Sequence, residues 1–242
     1  MKYTVKGNQV SYGEAIGIMA IENYAPYVPG DTANATSYSF PVRFARLPGS
    51  TPKRLFAHDA SLISTVLDVA RELAGEGVRA ITGDCGFLAT YQSHIANELG
   101  IPVFLSSLLQ LDFVDRVIGS HGKTGIITAN SESLDRELLD NVTSVASDRL
   151  VIEGLEDTQE FVSAVFDEKG SLDTDLVQEE VLAKARRVAS DSSVRALVLE
   201  CSLLPPYAAA VQAETGLPVF DYNTMINFVY SAVVRRPFVG FM

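Results

Sequence analysis

VRAITGDCGFLATYQSHIANELGIPVF, from Val78 to Phe104, returns later in the chain as VRALVLECSLLPPYAAAVQAETGLPVF, from Val194 to Phe220. The two stretches align without a gap. Val78, Arg79 and Ala80 fall on Val194, Arg195 and Ala196, and Gly100, Pro102, Val103 and Phe104 fall on Gly216, Pro218, Val219 and Phe220. Cys85 falls on Cys201, and these are the only 2 cysteines in 242 residues. An acid precedes each, Asp84 in one copy and Glu200 in the other.

Each copy reads as strand, turn, helix, strand. In the first, Val78–Thr82 is a strand, residues 83–86 a turn holding Cys85, residues 88–99 a helix stopped by Gly100, and residues 101–105 a strand. Working outward, EAIGIMAI (14–21) is an apolar run without helical period, the mark of a buried strand. KTGIITAN (123–130) repeats its pattern, with Gly125 in the place of Gly17, so each segment opens one half. Leu62, Val66, Val69 and Leu73 stand at helical spacing, and Gly75 and Gly77 end that helix. A further helix is expected over 107–118. In the second half, Ser131 or Asn130 is read as the N-cap of a helix to Leu139, followed by a short strand over 149–152. Helices are expected over 157–166 and 174–189, the latter with Leu176, Val177, Val181, Leu182 and Val188 on its apolar stripe. Residues 1–13 read as an extended arm. Residues 22–52, with several prolines and glycines and three tyrosines, read as a long irregular excursion, either a binding loop or a surface cover.

Strands alternating with helices imply parallel βαβ units. The expected fold is α/β: two similar three-layer parallel-sheet lobes related by a pseudo-twofold axis, with the active site in the cleft between them. The boundaries are 14–120 for the first lobe and 121–221 for the second. Residues 222–242 form a closing helix and tail, the helix expected to pack back on the first lobe.

The composition is 47% hydrophobic and 20% charged, ordinary for a chain with a substantial core. The net charge of −11 argues against a nucleic-acid partner, which needs clustered Lys and Arg. No apolar run reaches the roughly 18 residues of a membrane span. The N-terminus lacks an apolar core followed by a cleavage site, so a cytoplasmic protein is expected. In that compartment the cysteines read as thiols. His58, His94 and His121 have no metal-ligand spacing, so no metal is expected. GDCGF lacks both the phosphate-loop and the dinucleotide spacing.

In open parallel sheets, ligands gather at the carboxyl ends of the strands, where both cysteines stand. A helix N-terminus following each would stabilise a thiolate and lower its pKa. Across a pseudo-twofold axis the two sulfurs face one cleft. That pairing suits removal of a proton from one face of a carbon and its return to the other. The alternatives are two small buried hydrophobes, a common role of free cysteine, and a redox pair, which lacks the C-x-x-C spacing.

The GDCGF turn (83–87), the LECSLLPPY turn (199–207) and the lobe-opening strands ending at Asn23 and Asn130 resemble the aspartate/glutamate/hydantoin racemase superfamily over nearly the whole chain. The resemblance implies two α/β lobes, no cofactor, and an opposed acid/base pair at Cys85 and Cys201. It implies substrate binding by Asn23, Tyr24, Gly86, Phe87, Thr128, Asn130, Ser202 and Leu203, with Asp84 and Glu200 behind the thiols. Amino-acid racemases of this type often carry Asn-Thr after the first cysteine and Thr-His after the second. Gly86-Phe87 and Ser202-Leu203 stand here instead, which points to a larger or more apolar substrate than glutamate. The expected activity is a cofactor-independent racemase or epimerase of a small-molecule carboxylate or hydantoin-like substrate, as a homo-oligomer. A decarboxylase or cis–trans isomerase of a small dicarboxylate, and a non-catalytic two-lobed binding protein, remain open.

Overall fold

The computed structural model describes residues 2–5, 7 and 9–242. Its first sheet joins β1 (Ile16–Ala20) to β2 (Val42–Arg46) and β3 (Ala80–Gly83) in the order β2-β1-β3, all parallel. Val103 bridges to Ile81 beyond β3. Between these strands lie α1 (Pro52–Phe56), α2 (Ile63–Gly75) and α3 (Gln92–Glu98), and α4 (Leu111–Ile118) follows. The second half contains β4 (Lys123–Thr128), α5 (Arg136–Asp140), β5 (Leu150–Gly154), α6 (Gln159–Phe161), α7 (Thr174–Ala189), β6 (Val194–Leu199), α8 (Ala208–Thr215), β7 (Val219–Phe220) and α9 (Tyr222–Val233). Its sheet runs β5-β4-β6-β7, again parallel.

The sequence repeat reappears bond for bond. The Ile81 N–H donates to the carbonyl of Pro102 at 3.0 Å, and the Leu197 N–H donates to that of Pro218 at 2.8 Å. The lobe-opening strands are central because both faces are covered, and all of β1 but its last residue is buried. Gly125 lies where a helix crosses a central strand. A Cβ there would stand 2.2 Å from Val188 of α7 and 2.6 Å from Leu197, so only glycine lets α7 settle this close.

The closing helix does pack on the first lobe: Tyr222, Met225 and Ile226 of α9 join Ile16, Ile18 and Phe104 in one core cluster. The exchange is reciprocal, since α4, from the first half, packs on β4 and β6 of the second.

Several elements differ from the sequence reading. The excursion over 22–52 contains β2, a strand at the sheet edge in which Arg43 and Arg46 interrupt any apolar run. The helix expected from Ser131 begins at Arg136, capped by Asp135, whose carboxylate accepts the Leu138 N–H at 2.9 Å. After α6 the backbone widens into a π turn, Val162–Phe166. Leu176 of α7 is 52% exposed; Val177, Val181, Ala185 and Val188 form the buried face. The arm expected over 1–13 falls partly on residues 1, 6 and 8, outside the described residues. Its described part forms no strand, and Gln9 donates to the Glu76 carbonyl at 2.8 Å. Among the described residues no helix is long and apolar enough to cross a membrane.

Candidate active site

Both cysteines stand where a parallel strand ends. Cys85 follows β3 by one residue and caps a 3-10 turn, Gly86–Tyr91; Cys201 follows β6 and precedes the turn Pro205–Tyr207. Cys85 is part-exposed and Cys201 is 6% exposed. The N–H groups of Phe87 and Leu88 face the Cys85 sulfur, and that of Leu203 faces Cys201. The expectation of lowered thiol pKa values is overturned. Burial pushes both thiols well above the ordinary range, and the charge of Glu200 pushes each further. The α-helices begin only at Gln92 and Ala208, a 3-10 turn beyond each cysteine, so no α-helix N-terminus abuts either sulfur.

The two turns interlock. Ser202 Oγ donates to the Asp84 carbonyl, and the Ser202 carbonyl accepts from Thr32 N–H and Thr32 Oγ1, both at 3.2 Å. Ser107 Oγ donates to the carbonyls of Leu199 at 2.9 Å and Glu200 at 3.2 Å. Gly86 lies directly on Glu200: a Cβ there would be 1.8 Å from Oε1 and 2.8 Å from the backbone oxygen. The close approach of the cysteine turns therefore requires glycine at this position.

The acids before the cysteines do matching work. Asp84 Oδ1 accepts the Ile21 N–H at 2.8 Å, just past the end of β1. Glu200 Oε2 accepts the Ala129 N–H at 3.3 Å, just past β4, and Thr128 Oγ1 at 2.8 Å. Each carboxylate so ties its cysteine turn to the neighbouring central strand. Burial raises both to about 7.

The residues singled out from sequence divide into three groups. Gly86, Phe87, Ser202 and Leu203 lie on the cysteine turns, but the Phe87 ring stacks edge-on against Phe56 at 4.8 Å, and Ser202 is spent on the lobe contact. What these turns offer a ligand is backbone N–H. Thr128 is committed to Glu200. Asn23 accepts the Ala25 N–H at 3.1 Å, while Asn130 caps Ser133 and lines a cleft with Lys53, Phe56, Phe166 and Glu168. Tyr24 stands apart, 64% exposed at the rim, with its N–H on Glu168 at 3.1 Å.

Tyr27 was not singled out. It is the loop residue whose hydroxyl feels Asp84, Asp31, Cys85 and Cys201 together. The tyrosine-rich, proline-bounded loop was its sequence signal; periodicity could not single it out.

The chain is 32% identical over 235 residues to dimethylsulfoniopropionate lyase 6 of Emiliania huxleyi (strain CCMP1516), which covers 93% of this chain and 61% of that protein. It is 30% identical over 234 residues to a dimethylsulfoniopropionate lyase of Durusdinium sp. clade D, across 93% of this chain and 77% of the relative. Among solved structures, allantoin racemase from Pseudomonas fluorescens superposes with a TM-score of 0.62 at 13% identity, over 91% of each chain. Arylmalonate decarboxylase superposes with a TM-score of 0.58 at 17% identity, over 90% of this chain and 91% of that one. These likenesses give the fold, that of the aspartate/glutamate/hydantoin racemase superfamily. No protein-family model matches the chain.

Proposed function

Since the chain belongs to the dimethylsulfoniopropionate lyase family, we propose that it is a carbon–sulfur lyase that begins by taking a proton next to a carboxylate. The observation that carries the reading is the pair of cysteines on interlocked turns at the strand ends.

Dimethylsulfoniopropionate has a carboxylate at carbon 1, an acidified C–H at carbon 2 and a dimethylsulfonium group at carbon 3. A cysteine thiolate removes the carbon-2 proton. That electron pair becomes the C2–C3 double bond, and the C3–S pair leaves with the sulfur. The products are acrylate, neutral dimethyl sulfide and a protonated thiol. The leaving group departs neutral and needs no acid, so one base is enough. Backbone N–H groups of the turns, those of Phe87, Leu88 and Leu203 among them, hold negative charge at the thiols and at the substrate carboxylate. Phe87 and Leu203 would contribute chiefly through these amides, with Gly86 and Ser202 setting the turns. Burial raises both thiols most; the charge of Glu200, which Thr128 Oγ1 holds, raises each further, and that of Asp84 adds at Cys85. Asn23, Tyr24 and Asn130 would shape the approach. The chain spans only 61% of the first relative, and the activity is assigned here to the residues it contains.

A second reading shares the first step. If the proton is returned from the opposite face, the enzyme is a racemase or epimerase, and the matched cysteine register favours it. The reactions are separated by products. Folded protein incubated with dimethylsulfoniopropionate is expected to release dimethyl sulfide and acrylate in equal amounts. Cys85→Ala or Cys201→Ala, whichever removes the base, lowers the rate about 10²–10⁴-fold. Absence of both products from folded protein, or wild-type rates in both variants, sinks the lyase reading. Enantiopure α-substituted acids that lose optical activity and take up deuterium from solvent would instead establish inversion.

A further inference from the structure

Residues 27–38 form a strap that starts and ends in the first lobe and reaches the second cysteine turn. The strap closes on itself. Asn34 Nδ2 donates to the Tyr27 carbonyl at 2.9 Å, and Tyr38 Oη donates to the Thr32 carbonyl at 2.7 Å. Ser37 Oγ donates to the Asp31 carbonyl at 2.6 Å and accepts the Gly30 N–H at 2.9 Å. The strap is also held from α9, where Asn223 Nδ2 donates to the Gly30 carbonyl at 2.7 Å. A loop tied this way is a compact body with a fixed face, and its bonds leave Thr32 pointed at the turn.

Thr32 is where the strap grips the turn. Thr32 and Ser202 are both wholly buried. The Ser202 carbonyl accepts two hydrogen bonds from one residue, the Thr32 N–H and Thr32 Oγ1, both at 3.2 Å. The Ser202 carbonyl and the Leu203 N–H are the two poles of one planar peptide unit, and the Leu203 N–H faces the Cys201 sulfur. A planar unit turns as one piece. Whatever holds the carbonyl therefore aims the N–H.

We propose that Thr32 is a positioning residue for Cys201, which aims the Leu203 N–H at the sulfur by gripping the other pole of the same peptide. An N–H fixed on a thiolate stabilises it, and an N–H free to swing does so less. The hydroxyl supplies half of the grip, and the methyl group fills space. Two substitutions separate these parts. Thr32→Val keeps the shape and removes Oγ1, while Thr32→Ser keeps Oγ1 and removes the methyl group. The titratable groups around Cys201, which are Glu200, Cys85, Asp31, Tyr27 and Tyr222, are the same in both variants.

The inference rests on the lyase reading for the reaction that the thiol serves, and one of its two measurements does not use that reaction. Residue-resolved amide hydrogen exchange reads the Leu203 peptide directly. In Thr32→Val, Leu203 exchange is expected to rise about fivefold, the effect of one lost buried hydrogen bond, relative to the Leu197 amide. The Leu197 N–H, bonded to the Pro218 carbonyl in the core, registers any global loss of stability. Dimethyl sulfide release is expected to fall about tenfold in kcat with KM changed less than about twofold, the mark of a misplaced group. Thr32→Ser keeps wild-type values of both. Leu203 exchange or kcat unmoved in Thr32→Val overturns the proposal. So does a Thr32→Ser enzyme as impaired as Thr32→Val, which would make Thr32 a packing residue. If Thr32→Val does not fold, Tyr38→Phe, which frees the Thr32 carbonyl, decides the point: both readings are expected to move the same way, and no change in either overturns the grip. If the folded wild type releases no dimethyl sulfide, the lyase reading fails, and Leu203 exchange alone decides whether Thr32 holds the peptide.

Discussion

Gly86 is where the two copies of the repeat touch. Its partner in register is Ser202, whose side chain reaches the Asp84 carbonyl, so the two positions after the cysteines form the contact from opposite sides. A methyl group at 86 would strike both the Glu200 carboxylate and the Glu200 backbone. The side chain can swing away, but the backbone cannot without parting the turns. Gly86→Ala is therefore expected to lower activity by at least about tenfold, and stability by about 1–3 kcal/mol, the range for overpacking in a close-packed interior. Kinetics beside a denaturant melt checks both, and an unchanged enzyme would mean the turns do not need this approach. The acids were visible in the sequence as neighbours of the cysteines. Their work, each holding the N–H beyond a central strand, was not, because it depends on residues 63 and 71 positions away.

At the scale of elements, the repeat gives each half its strand–turn–helix–strand order, and α4 and α9 then cross over. Each follows the last strand position of its own half and covers the sheet of the other. An amphipathic stripe says that a helix has a partner and does not say which sheet supplies it. Ile226 of α9 is fully buried against the first lobe, although it belongs to the second half of the chain. Ile226→Ala is expected to cost about 2–5 kcal/mol of unfolding free energy, the usual range for emptying a core site. Because α9 reaches across, the whole chain should lose that stability in one transition, read by the urea midpoint. A loss confined to a separate low-stability transition would show that α9 is not integral to the first lobe. The edge strand β2 escaped sequence reading for a related reason: its Arg43 is neutralised by acids distant in the chain, Glu14 at 3.1 Å and Glu76 at 2.8 Å.

At the scale of the whole molecule, the lobes are joined on several sides of the site. His58 Nε2 meets the Ser133 carbonyl at 2.9 Å, Phe56 meets Phe166 edge-on at 5.4 Å, and the Thr32 strap reaches Ser202. Closing the lobes buries Asp84 and Glu200, which makes global stability depend on pH. Both titrate at about 7 in the fold, against ordinary values of 3.8 and 4.5. Below the ordinary values they are protonated in both states and destabilise neither. As pH rises, the unfolded chain ionises them first, so stability falls until about pH 7 and then levels, each acid contributing a loss on the order of 3–4 kcal/mol. Urea melts between pH 5 and 8 should show this decline, and Asp84→Asn should remove about half of it, Glu200 still contributing. An Asp84→Asn curve parallel to the wild type would mean that the carboxyl titrates normally.

The sequence by itself determined the duplicated parallel α/β architecture, the position of both thiols at strand ends, and the buried strands Ile16–Ala20 and Lys123–Thr128, because these follow from local periodicity and from comparing the chain with itself. Only the tertiary structure decided which helix covers which sheet, that burial raises the thiols rather than lowering them, and that the buried Asp84 and Glu200 each hold the N–H beyond a central strand. The physical reason is the same in each case. Burial and electrostatic contact depend on which segments distant in the chain exclude water from one another, and spacing along the chain carries no record of that.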